Sequence, residues 1–391
     1  MRYSAITTRI AGEGSDAWQV HDDALRRRAA GDDVIVLSIG DPDFDTAPEI
    51  RAAAVRALDH GRTHYAGIGG EPALRAAIAA HTRRTTGLDV SPDEVTVFPG
   101  AQAALFAVAQ CLVDPGDEVV VMEPTYVTYE AVLGAPGGRM VQVPLRPEHR
   151  FHLEPATLAA AITPRTKAVL LNFPHNPTGA SLTADEAGAA AELCRARDLW
   201  LISDEVYAAL ADDGAHHSPL ALPGMRERGV LISSLSKSHA MTGWRCGWTV
   251  TPPDMAHHLR LLARAMYFGL PPFIQDAAAF ALDHGGDELA RLRAAYASRA
   301  SVVVNALAAA PGVAARRPDA GMYVFADVRG TGLDGKQFAR GLLDGYGVSV
   351  TPGEGFGPSG AGHVRITLGT SEAGLAEAAA RITTYARGLR D

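Results

Sequence analysis

The chain has 391 residues, 47% of them hydrophobic and 20% charged, and a formal net charge of −8. That is enough apolar sequence for a large core and more than one domain. The acidic balance, without a Lys/Arg stripe, argues against a nucleic-acid partner, and no apolar run approaches the ~18 residues of a membrane helix.

In chain order, a helix is expected over 15–30, its Arg26-Arg27-Arg28 run forming a solvated face. A strand over 34–39 ends in Gly40-Asp41-Pro42-Asp43-Phe44, where a glycine without Cβ lets backbone approach a ligand. An ordinary turn fits the same spacing. A helix over 48–59 opens on Pro48. His64–Gly70 is a glycine-rich loop carrying one aromatic hydroxyl, Tyr65, and an Ala-rich helix over 72–86 follows.

From Val95 the pattern becomes strand, helix, strand, repeated. The strand 95–98 runs through Pro99-Gly100 into an apolar helix whose first residues, Ala101 and Gln102, would point free N–H groups at an anion. Further strands are expected over 118–123, 140–143, 166–172, 200–203, 230–232 and 248–250, with a capped helix over 183–197. This alternation argues for a mostly parallel sheet with helices on both faces, and ligands bind beyond the carboxyl ends of such strands. Asn176, Asp204 and Lys237 each lie just past such an end.

After Pro271 helices are expected over 273–283 and 287–309, then strands over 322–326 and 348–351, a last strand over 363–368 and a helix over 372–387. This tail reads as a smaller α/β domain joined by the first ~40 residues. The expected division is 1–44 as the N-terminal segment joining the small domain, 45–284 as the large domain and 285–391 as the small C-terminal domain. Cys111, Cys194 and Cys246 sit in apolar segments and read as buried free thiols of a reducing compartment. With no secretory apolar region at the N-terminus, the expected location is the cytoplasm. Adjacent His pairs at 216–217 and 257–258 have poor geometry for shared metal ligation, so no metal is expected.

The chemistry concentrates in Ser233-Ser234-Leu235-Ser236-Lys237, with Arg245 eight residues on. A lysine held at the mouth of a sheet suits an amine that forms a Schiff base, and serines with an arginine suit a phosphate. Together they point to pyridoxal phosphate. Lysine occurs elsewhere only at Lys167, at a turn expected to precede a strand, and at Lys336, at the start of a polar helix. Both read as solvated.

Asn176-Pro177-Thr178-Gly179, Asp204-Glu205-Val206-Tyr207 and Ser234-x-Ser236-Lys237 with Arg245 occur in this order, with Arg365 beyond them. In this the chain resembles fold-type I pyridoxal-phosphate aminotransferases of class I/II. The resemblance implies an α/β fold, with a mostly parallel seven-stranded sheet between helices and a smaller α/β domain. Matches over Met1–Ser4, Thr8–Gly12, Pro124–Ala131 and Ser236–Trp244 resemble bacterial arginine–pyruvate aminotransferases and their relatives acting on cyclic guanidino amino acids.

Carried over residue by residue, the resemblance implies that Lys237 holds the cofactor and shuttles the Cα proton, and that Asp204 keeps the pyridine nitrogen protonated. Asn176 and Tyr207 would bond its phenolic oxygen, and Tyr126 would stack on the ring. Ala101 and Gln102 would give backbone amides to the phosphate, beside Ser234, Ser236 and Arg245. Ala101 has no hydroxyl where many relatives carry serine. Tyr65 would reach the phosphate from the other subunit of a homodimer with shared active sites. Arg365 would clamp the substrate α-carboxylate, aided by Gly40 and Asn176. The implied reaction is a ping-pong transfer of an α-amino group to a 2-oxo acid such as pyruvate. Acidic Glu13 and Asp16, in a segment that tends to cover the site in this family, could meet a guanidino donor, and both fit a solvated loop equally well. The same motifs serve other enzymes of the scaffold, β-lyases and cyclising synthases, and aminotransferases with aspartate or aromatic donors. Only a transaminase accumulates pyridoxamine phosphate with the amino donor alone.

Overall fold

The computed structural model describes residues 1–11, 18–211 and 217–390. Its strands are β1 (Ile35–Val36), β2 (Val95–Phe98), β3 (Glu118–Glu123), β4 (Arg139–Pro144), β5 (Thr166–Asn172), β6 (Trp200–Asp204), β7 (Gly229–Ser234), β8 (Gly247–Val250), β9 (Tyr323–Asp327), β10 (Val348–Ser349), β11 (Thr351–Pro352) and β12 (His363–Thr367). Seven of them form one sheet in the order β2-β8-β7-β6-β5-β3-β4. The pairs from β7 to β4 are parallel, while β8 runs antiparallel to both of its neighbours.

Side chains alternate across a strand with period two, and both faces of this sheet are covered. Val119, Val121, Ala168 and Leu170 face the helices Ala101–Leu112 and Pro253–Met266. Val120, Met122, Val169 and Leu171 belong to the opposite layer, with residues of Pro48–Asp59, Pro72–Thr86, Ala184–Ala196 and Pro272–His284. Each Val, Leu or Met side chain among them contributes about 1.5–3 kcal/mol when buried. A third core joins Val20, Ala24 and Leu37 to Leu292, Val303, Phe338, Val364, Ile366, Leu375 and Ile382, around the antiparallel sheet β11-β12-β9.

The expected strand over 34–39 is reduced to Ile35–Val36, paired in parallel with Val348–Ser349. Beyond it, backbone carbonyls turn to side chains: Ser38 accepts from Arg365 and Thr351, and Gly40 from Lys237. The strand expected over 348–351 is likewise split, its two ends serving different sheets. Lys167 lies inside β5 and is half-buried, rather than in the turn before it, because that strand begins at Thr166. The first long helix is Gln19–Ala29, and positions 15–17 of the expected helix lie outside the described residues. Cys194 and Cys246 are buried free thiols and Cys111 is half-buried.

Candidate active site

Parallel pairing sets Asn172 beside Asp204 and Asp204 beside Ile232, so the carboxyl ends of β5, β6 and β7 lie level. The segments leaving them open into a cavity of about 500 Å³. Its walls include Gly40, Ala101, Gln102, Tyr126, Asn176, Asp204, Tyr207, Ser234, Ser236, Lys237, Arg245 and Arg365.

Lys237 stands half-buried in this cavity, and its Nζ donates to the Gly40 carbonyl at 2.5 Å. The segment that carries Gly40 is fixed to the lysine loop at further points. Thr242 donates to Asp41 Oδ1 at 2.8 Å, Thr46 to the Ala240 carbonyl at 2.6 Å, and Trp244 Nε1 to Thr46 at 2.9 Å. A Cβ on Gly40 would lie 1.8 Å from the Tyr323 hydroxyl, so only glycine fits there.

Asp204 is 7% exposed, and burial pushes its carboxyl up to about 6. Hydrogen bonds from the Tyr129 hydroxyl to Oδ2 at 2.6 Å and from the Val206 amide to Oδ1 at 3.4 Å oppose that rise. A buried carboxylate with these bonds, and with no cation among the causes of its shift in the described residues, favours a positively charged partner in the cavity. Tyr126 meets Tyr129 edge-on, the ring centroids 5.6 Å apart. The Tyr207 hydroxyl lies 3.0 Å from that of Tyr323, and burial, then this neighbour, holds Tyr207 well above the ordinary phenol range.

An anion cradle forms where β2 turns into the helix Ala101–Leu112. Gly100 caps that helix at φ +89°, in the left-handed region, and a Cβ there would lie 2.4 Å from an Arg245 guanidinium nitrogen. The Gln102 side chain is engaged by Thr128 at 3.0 Å, which leaves its backbone for the anion. Gly247 keeps the opposite wall low, since a Cβ there would stand 2.5 Å from the Ala101 amide. Arg245 itself adopts φ +53° and donates to the Thr242 carbonyl at 2.8 Å.

Arg365 is 3% exposed. Its Nη1 donates to Asn176 Oδ1 at 3.0 Å, and its Nη2 to the Ser38 carbonyl at 3.0 Å and Thr351 Oγ1 at 3.3 Å. Its guanidinium carbon lies 4.5 Å from the Tyr323 ring centroid and 5.0 Å from that of Phe356. Nε is buried without a hydrogen-bond partner among the described residues. A buried guanidinium with neutral partners and a free N–H is a site for a carboxylate.

Lysine, carboxylate, helix terminus with arginine, and second arginine thus match the carbonyl, ring nitrogen and phosphate of pyridoxal phosphate and an amino acid's carboxylate. The residues present fit the cofactor. One expected site residue stands apart among the described residues. Tyr65 is 87% exposed and packs edge-on against Phe268, 5.1 Å between centroids, rather than lining the cavity. Glu13 and Asp16 lie outside the described residues. Sequence reasoning missed Tyr129, Tyr323, Ser38 and Thr351, which support Asp204, Tyr207 and Arg365, and it missed Trp18 and Thr242 in the cavity wall. Only Tyr129 left a usable signal, three residues after Tyr126 at a helix start.

The family described as aminotransferase class I and II matches residues 32–382. Over 389 residues the chain is 53% identical to arginine–pyruvate transaminase AruH of Pseudomonas aeruginosa, covering 100% of this chain and 99% of that protein. It is 37% identical over 365 residues to an aspartate/prephenate aminotransferase of Thermus thermophilus, with 93% of each covered. Among solved structures, aspartate aminotransferase from Thermus thermophilus with maleate superposes with a TM-score of 0.93 at 36% identity, over 98% of this chain and 100% of that one. An aromatic aminotransferase from Pyrococcus horikoshii gives 0.89 at 35%, over 94% and 99%.

Proposed function

The chain belongs to the class I and II aminotransferases and is a pyridoxal-phosphate enzyme, and we propose that it moves the α-amino group of L-arginine, or a close guanidino amino acid, to pyruvate. The observation that carries the transfer is the buried Arg365, with its unpartnered Nε, in the same cavity as Lys237. Full-length similarity to a transaminase named for arginine and pyruvate supports the choice of substrates.

Bound in the cavity, the cofactor supplies a carbonyl carbon that accepts the amino group and a ring that stores the electron pair released at the donor's Cα. In this reading Arg365 and Asn176 grip the donor's α-carboxylate and the Gly40 backbone closes over it. This fixes the Cα proton toward Lys237. Lys237 Nζ, released from the Gly40 carbonyl, takes that proton and carries it across the same face. Asp204 holds a proton on the ring nitrogen, its charged form favoured by Tyr129 and by the cation it faces. Tyr207 and Asn176 donate to the ring oxygen, and Tyr126 covers the ring face. Amides at Ala101 and Gln102, hydroxyls of Ser234 and Ser236, and Arg245 hold the phosphate.

The reading extends to assembly and organisation. The exposed Tyr65 completes the phosphate site of a second copy in a homodimer. Residues 1–44 join 285–391 as the small domain beside a large domain of 45–284, and the enzyme works in the cytoplasm. A donor panel with pyruvate, 2-oxoglutarate and glyoxylate as acceptors tests the substrates. Arginine with pyruvate is expected to give the highest kcat/KM. Arginine alone should release no more than one equivalent of 2-oxo acid per site, as a ping-pong transfer requires. A preference for aspartate would overturn the donor while leaving the transfer chemistry in place.

A further inference from the structure

We propose that Asp41, with the Trp18 ring as a stacking wall, reads the distal cation of the donor; the inference rests on the reading of the donor as a guanidino amino acid. Among the described residues, the charged side chains lining the cavity are Asp41, Asp204, Lys237, Arg245 and Arg365. Arg245 matches the phosphate, Arg365 the α-carboxylate, Asp204 the ring nitrogen, and Lys237 the reacting amine. Asp41 is the one charge for which neither the cofactor nor the α-amino acid group supplies a counter-ion. A negative charge left over in a site is matched by a substrate that brings a positive one.

Its position suits that role. Asp204, Asn176 and Arg365 are buried, whereas Asp41 and Ile39 are exposed, so the two residues mark the open end of the cavity. A donor held by its carboxylate at Arg365 extends its side chain away from that buried end. Asp41 is also held in place. Thr242 donates to Oδ1 at 2.8 Å, while Oδ2 accepts no hydrogen bond among the described residues. Pro42 restricts the Asp41 backbone, and Gly369 packs so closely that a Cβ there would stand 2.3 Å from the Asp41 carbonyl. A carboxylate fixed by one oxygen and open at the other can accept a guanidinium N–H without losing further side-chain freedom. Trp18 lines the same cavity, half-buried, and an indole is a ring on which a guanidinium stacks.

The test compares L-arginine with L-citrulline, its neutral counterpart of similar shape, and L-norleucine, with pyruvate as acceptor and the holoenzyme throughout. Asp41→Asn should lower the arginine-to-citrulline and arginine-to-norleucine ratios of kcat/KM by about ten- to a hundredfold. Asp41→Glu should recover part of the loss. Thr242→Val, which frees the carboxylate, should lower the same ratios by a smaller factor, as should Trp18→Leu. An unchanged ratio in Asp41→Asn, or an equal loss on all three donors, overturns the inference while leaving the donor assignment intact. A wild-type enzyme that does not prefer arginine to citrulline and norleucine overturns the donor assignment, and with it this inference.

Discussion

Asp204 shows how one side chain is tuned by its neighbours. Burial alone raises its carboxyl toward neutrality, and the Tyr129 hydroxyl works against that. Tyr129→Phe removes a bond that favours the charged form, so the carboxyl stays protonated to higher pH. The acid limb of the kcat/KM profile should therefore move upward, with a loss of about ten- to a hundredfold below it. An unmoved limb would separate Tyr129 from the chemistry. Asp204→Asn should retain cofactor but lose at least about a hundredfold in rate, because a neutral amide no longer holds the ring proton. At Lys237, borohydride reduction of the holoenzyme followed by peptide mapping should find the pyridoxyl group, and Lys237→Ala should abolish turnover. A label on half-buried Lys167 or exposed Lys336 would contradict it. Lys237, Asp204 and Arg365 are legible in the sequence because each follows or lies in an apolar strand and carries a charge where burial makes charge costly. Ser38, Thr351 and Tyr323 were not legible: Ser38 reaches Arg365 through a backbone carbonyl from the other end of the chain, Thr351 accepts from Arg365 across a strand pair, and Tyr323 meets the Tyr207 hydroxyl from a distant segment.

Among the elements, those with strong local signals stand almost where the sequence places them. Proline opens the helices Pro48–Asp59 and Pro72–Thr86, and a Thr183–Glu186 capping box opens Ala184–Ala196. The helix Pro253–Met266 was given no bounds from the sequence, although His257 and His258 read as helix surface and Met255, Leu259 and Ala263 form its buried stripe. Nor could the sequence tell that 34–39 would give up ladder pairing, a choice made by Arg365, Thr351 and Lys237 from outside the segment. His152 illustrates a contact between segments with a clear pH signature. It lies 3.2 Å from Glu186 at the start of one helix and 3.5 Å from Asp319, next to the turn that leads to β9. Bonds to Asp319, then Glu186, raise its pKa from 6.5 to about 9. A raised histidine stabilises the fold in full below about 6.5, and the contribution is lost as pH rises through about 9. His152→Gln should lower Tm most near pH 6, by an amount equivalent to about 1–2 kcal/mol, and least above pH 9.5. A Tm difference that does not change with pH would mean that the ring only fills space.

Among the described residues, one expected site residue lies outside its own chain's cavity. Tyr65 is 87% exposed in a glycine-rich loop, packed only edge-on against Phe268, itself 48% exposed, with Met266 at 38% nearby in sequence. An exposed aromatic cluster of this kind marks an association surface, and a two-fold interface returns to each copy the residue it lends. The proposed homodimer, in which each site takes Lys237 from one chain and Tyr65 from the other, would account for the placement. Mixing Lys237→Ala with Tyr65→Ala chains under conditions that exchange subunits tests it directly. In a mixed dimer one site has lost both residues, and the other has Lys237 from one chain and Tyr65 from its partner. At a cofactor concentration too low to sustain the Tyr65→Ala homodimer, half of the dimers formed at random are mixed and each restores one of two sites, so activity should return to about a quarter of wild type. Tyr65→Ala alone should weaken the hold on phosphate and raise the cofactor concentration needed for activity. No recovery on mixing, or a dilution-stable active monomer in sedimentation, would place all the catalytic residues in one chain. Tyr65 would then be a surface residue with no part in the reaction.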